Sequence, residues 1–135
     1  MPRELSRVDL LLIVMGAPHQ SDQTTSVLRL VQALMERGGR VRVWSCGDST
    51  HLTQQHLGER KQRNFADWHA SYPTTAVLVR DLLTAFPEQL EWFSCQFCSE
   101  DRGATDHLPE IPMYGPSKFA RISASADKTV MLGVI

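Results

Sequence analysis

Apolar positions along this chain come as short runs alternating with helical stripes. Residues 8–15 form a nearly continuous apolar run that ends at Gly16-Ala17-Pro18, which suits a strand buried on both faces of a parallel sheet. Beyond the polar stretch His19-Gln20-Ser21-Asp22-Gln23, the residues Val27, Leu30, Val31, Leu34 and Met35 recur at helical spacing. They mark one stripe of a helix over about residues 24–37. Asp22 and Thr24 are its candidate caps, and Gly38-Gly39 its stop. Over residues 40–45, Val41 and Val43 alternate with Arg40, Arg42 and Trp44. That alternation predicts a second strand with one face less buried, at or near a sheet edge. Together these elements make a β-α-β unit, which crosses over right-handedly.

Residues 46–73 carry few core candidates. Leu52, Leu57, Phe65 and Trp68 are expected to pin a short helix and an irregular loop, and so long a connection suggests a lid or a partner-binding element. A second helix is expected over about residues 74–86, with Val79, Leu82, Leu83 and Phe86 at helical spacing and Pro87 as its stop. A third strand begins near Leu90 and runs into Cys95. After Gly103, a loop with Pro109, Pro112, Gly115 and Pro116 leads to a short helix over about residues 117–125, with Phe119 and Ile122 facing inward. A final strand covers about residues 128–134.

This order predicts a three-layer α/β sandwich with a mostly parallel five-stranded (or four-stranded) sheet, in a single domain over residues 1–135. Sites in such sheets form beyond the carboxyl ends of the strands. That edge gathers Gly16-Ala17-Pro18-His19, Cys46, and the pair Cys95 and Cys98.

Composition narrows the partners. The 135 residues carry a formal net charge of −1, and no basic block is longer than Arg60-Lys61-Gln62-Arg63, so nucleic acid is not expected. Three cysteines argue against a disulfide framework and for a reducing, cytoplasmic setting. The apolar run after Asp9 is too short for a signal peptide. No stretch approaches the ~18 apolar residues of a membrane span.

The stretch Leu90-Glu91-Trp92-Phe93-Ser94-Cys95-Gln96-Phe97-Cys98-Ser99-Glu100-Asp101-Arg102-Gly103 holds the candidate chemistry. Its first half reads as a buried strand and its second as a short helix stopped by Gly103. A thiol at such a junction meets unpaired backbone N–H groups and the positive end of a helix dipole, both of which favour thiolate. Four readings of Cys95 and Cys98 compete. They are small buried hydrophobes; or a thioredoxin-like redox pair, against which the short helix argues. They are half of a zinc site completed by Cys46 with His51 or His107, with Cys46-x4-His51 a poor second pair. Or Cys95 is a sulfur nucleophile and Cys98 a resolving or second thiol. Arg102 either stabilises an anion there or pairs with Glu100 or Asp101. His19 and His107 are acid–base candidates or plain loop histidines. Gly16-Ala17-Pro18-His19 lacks the glycines of a nucleotide-binding loop, and neither a cofactor nor a metal is assigned.

The chain resembles the DsrE/DsrF-like family, which includes the TusD-type sulfur-relay proteins. The resemblance rests on the strand Leu10-Leu11-Leu12-Ile13-Val14, the first helix ending in Gly38-Gly39, the segment from Cys95 to Arg102-Gly103, and Ala126-Asp127-Lys128-Thr129-Val130 leading into the last strand. It implies a small DsrE-like α/β fold, a persulfide on Cys95 in the manner of a sulfurtransferase, and a homo-oligomer, trimer or hexamer. It also implies a sulfur donor or acceptor protein as partner. The polar residues after Cys95 and the second thiol depart from the family pattern. The other reading on the same scaffold is a non-catalytic oligomeric binding protein, with a zinc ion or a small ligand at the Cys95/Cys98 turn.

Overall fold

Parallel strands buried on both faces need helices on both sides, and the chain supplies them by reversing direction once. The computed structural model describes residues 5–18, 22–61, 66–67 and 69–133. His19, Phe65 and Trp68 lie outside the described residues. The strands are β1 (Val8–Val14), β2 (Val41–Ser45), β3 (Leu90–Cys95), β4 (Met113–Tyr114) and β5 (Ala126–Leu132), and the helices α1 (Gln23–Glu36), α2 (Thr75–Ala85), α3 (Gln96–Asp101) and α4 (Phe119–Ala124). The sheet order is β4-β3-β2-β1-β5 and every pairing is parallel. From β1 to β4 the chain steps one way across the sheet, and right-handed crossovers put α1 and α2 on one face. The return from β4 to β5 reverses the step and places α4 on the other. The expected three-layer sandwich is what the chain builds, with five strands.

Side-chain alternation assigns each strand residue to a layer. Leu12, Val14, Val41, Val43, Leu90 and Trp92 pack under α1 and α2, against Val27, Val31, Met35 and Val79. Leu11, Ile13, Trp44, Phe93 and Cys95 pack on the opposite face, with Ile122 of α4. Each fully buried valine or methionine of α1 contributes about 1.5–3 kcal/mol of apolar burial. Asp22 stands at the start of α1 without closing a side-chain cap, whereas Thr74 caps α2 by accepting from the Val77 N–H at 3.3 Å.

One expectation needs correction. β2 is not an edge strand: it lies between β1 and β3, and all five of its residues are buried. Its polar positions misled because Arg42, 0% exposed, is fully engaged. Its guanidinium donates to Glu91 at 2.7 Å, to the Ser125 hydroxyl at 2.6 Å and to the Ser6 carbonyl at 2.8 Å. A buried charge satisfied on all sides reads in sequence like an exposed one. The short helix expected in the first part of the 46–73 connection is present and is pinned by Leu52. Two 3-10 turns, Gly47–Thr53 and Gln55–Leu57, bury Ser49, Thr50, Leu52 and Thr53, and Thr75 ties back to the Leu52 carbonyl at 2.8 Å.

Candidate functional site

The carboxyl ends of β1, β2 and β3 bring together residues far apart in sequence. In the β2–β3 register Ser45 pairs with Ser94, so the next residues, Cys46 and Cys95, face each other across adjacent strands. Cys46 is held by its backbone N–H to the Val14 carbonyl at 2.8 Å, and its own carbonyl accepts from Ser49. Cys95 ends β3 and sits at the start of α3, with Cys98 one turn on. On its far side Cys95 pairs with Tyr114 of β4. All three cysteines are free thiols and share one apolar cluster.

The electrostatics differ from the sequence expectation. The thiolate-favouring N–H groups of Cys98 and Phe97 do face the Cys95 sulfur, but neither closes a capping hydrogen bond with it. Burial outweighs them: Cys95 is 4% exposed, and removal from water, reinforced by a hydrogen bond with the Cys98 side chain, raises its thiol above the ordinary value. Cys46 is pushed up to about 12, by burial first and then by the neighbouring Cys95 and Cys98. The Cys46 and Cys95 side chains lie on the same face of the sheet in one apolar cluster. Cys46 and Cys98 are half-buried. The cluster is thus a row of thiols with Cys95 in the middle, covered but shallow.

Arg102 closes the rim. Gly47 adopts φ +55°, and a Cβ there would sit 3.5 Å from the Met15 carbonyl and 3.9 Å from the Arg102 guanidinium. A glycine therefore lets the chain turn under the arginine. Arg102 donates from Nε to Asp48 at 2.7 Å and reaches Asp101 at 3.5 Å. Asp48 chiefly holds it charged, and Cys98 adds a smaller attraction. Local sequence gives no sign of this pair, because Asp48 follows β2 and Arg102 follows β3; only the sheet makes them neighbours.

His107 does not join the thiols. It is buried, with Nδ1 2.8 Å from the Thr53 hydroxyl and 3.1 Å from the Gln54 amide, and Nε2 3.0 Å from the Ser99 hydroxyl. Burial lowers its pKa, so the neutral ring is favoured. Both ring nitrogens are engaged, and the residue pins α3 to the 3-10 turn. Among the described residues no group of three His, Cys, Asp or Glu side chains is arranged to hold a metal ion. A cavity of about 580 Å³, lined by residues including Glu91, Phe93, Tyr114, Lys118 and Arg121, contains none of the cysteines.

The five parallel strands and their covering helices make a DsrE-like α/β fold. The crystal structure of the ychN protein from E. coli is similar, with a TM-score of 0.73 over 93% of this chain and 99% of that one, at 19% identity. At that identity the likeness shows the fold. No sequence-family model matches the chain, and no curated protein sequence matches it. No helix among the described residues is long and apolar enough to cross a membrane.

Proposed function

We propose that this protein is a sulfur carrier of the sulfur-relay type, holding sulfane sulfur as a persulfide on Cys95 with Cys98 as the exchanging thiol. The observation that carries the reading is the convergence of Cys46, Cys95 and Cys98 at the carboxyl end of a parallel sheet, with Arg102 acting electrostatically on Cys98. In loading, the Cys95 thiolate attacks the outer sulfur of a donor persulfide; the donor leaves as thiolate and Cys95 gains one sulfur. In release, Cys98 or a partner's thiolate attacks the outer sulfur of the Cys95 persulfide and takes it, and Cys95 departs as thiolate. Alternatively Cys98 attacks the inner sulfur, giving a Cys95–Cys98 disulfide and hydrosulfide. Each route balances without an external oxidant. A donor or acceptor protein, a trimeric or hexameric assembly and a cytoplasmic location belong to the same reading.

A non-catalytic binding protein is the second reading, favoured by one observation: Cys95 is 4% exposed and its thiol is raised. Intact-protein mass after incubation with a sulfane-sulfur donor separates the two. The carrier gains about 32 Da, reversed by reductant, absent in Cys95→Ala and retained in Cys98→Ala. No gain under conditions that load a control persulfide protein rules the carrier out.

A further inference from the structure

Cys46 is the thiol for which the exchange chemistry has no use, yet it is the one built most firmly into the scaffold. It lies opposite Cys95 in the parallel register, its amide is fixed to Val14, and its carbonyl to Ser49. Its side chain interacts with that of Cys95 from the strand side, while Cys98 approaches the same sulfur from α3. Cys95 therefore stands between two thiols of different placement. One follows an interior strand; the other rides on a six-residue helix whose neighbours Gln96 and Phe97 are exposed.

We propose that Cys46 is a positioning residue whose S–H donates a hydrogen bond to the sulfur of Cys95 and stabilises it as the departing thiolate, leaving exchange to Cys98 or a partner. This rests on the carrier reading for its purpose, though the hydrogen bond itself does not. When an acceptor thiolate takes the outer sulfur, the S–S bond breaks and its electron pair stays on Cys95. A leaving thiolate departs faster when its negative charge is stabilised. In a site shielded from water, a neutral S–H on the strand side adds a donor to the Cys98 and Phe97 N–H groups that face the same sulfur from α3. Cys46 keeps its proton for this task, since its own ionisation is pushed up to about 12. The other titratable or charged groups around Cys95 are Cys98 on α3, Tyr114 on β4, and the Asp48–Arg102 pair at the rim. Arg102 is bound to Asp48 and acts electrostatically on Cys98, so it does not replace the donor.

The test is the pH dependence of Cys95 alkylation by iodoacetamide, read by peptide mass in a Cys98→Ala background, with Cys46 native or replaced by Ala, Ser or Val. Removing the donor in Cys46→Ala is expected to move the Cys95 midpoint to higher pH and slow alkylation at pH 7.5 by about fivefold. Cys46→Ser, which keeps a donor, should return within about twofold of the parent. Cys46→Val fills the space without a donor and must behave like Cys46→Ala, which covers a fold defect in the alanine variant. An unchanged or lowered midpoint in Cys46→Ala and Cys46→Val overturns the proposal. So does a Cys46–Cys95 disulfide after sulfur release, which would make Cys46 a nucleophile. Sulfur loading of the parent is measured in parallel. If the parent does not load yet the midpoints move as expected, the carrier reading fails while the hydrogen bond stands.

Discussion

The two sides of α3 handle buried polar groups in opposite ways. Toward the 3-10 turn, Ser99 and His107 form a closed set: each ring nitrogen has a partner, and Gln54 adds a bond to the Ala104 carbonyl at 2.9 Å. Toward the strand ends, the thiols of Cys46, Cys95 and Cys98 meet one another and the Cys98 and Phe97 N–H groups, with no closed cap. The first arrangement is what a short helix needs to stay in place, because six residues supply little helical stability of their own. The second leaves a reactive atom weakly satisfied in a firm setting. The lesson is that the locked side supports the loose side: α3 carries Cys98 beside Cys95 while Ser99, one residue on, is tied to His107.

The strongest way to break this contrast is His107→Ala. It removes a buried ring and leaves the Ser99 and Thr53 hydroxyls without that partner, so a loss of about 3 kcal/mol is expected in urea unfolding. The thiols should then alkylate less selectively. A variant as stable as the parent would mean that α3 is held by something else.

Acid provides a graded version. The folded state favours neutral His107, so its pKa is lowered below the ordinary 6.5. Below 6.5 the unfolded chain binds the proton more readily than the folded one. This contribution to stability is therefore present above pH 6.5 and is lost as pH falls from there toward the lowered value. Unfolding midpoints measured from pH 7.5 to 5 should decline in the parent, and more weakly in His107→Gln.

The smallest expected effect is at the rim. Arg102→Gln breaks an ion pair with Asp48 that is largely solvent-exposed, so stability should change by less than about 1 kcal/mol. Sulfur loading, in contrast, should slow severalfold at low salt because the positive charge near Cys98 is gone. Equal rates for both proteins would assign Arg102 to surface pairing alone.

The apolar periodicity of residues 8–45 and of the α2 stripe determined the helices, the main strands and their parallel order, because those signals are local and each element repeats them several times. The position of Cys95 between strand and helix was legible for the same reason, and with Cys46 and Cys98 it pointed to the edge of the sheet where the three thiols meet. β4 was not legible: two residues, Met113 and Tyr114, carry no periodicity, and the strand exists only because β3 offers an edge. Nor was the interior place of Arg42, whose burial depends on Glu91, Ser125 and Ser6 arriving from three distant segments. The expectation of a lowered Cys95 ionisation came from local helix geometry, and desolvation by the whole fold reversed it. The sequence by itself determined the long, periodic elements and which residues carry sulfur. The tertiary structure decided what surrounds that sulfur, because parallel register and burial act between residues that the chain separates by dozens of positions.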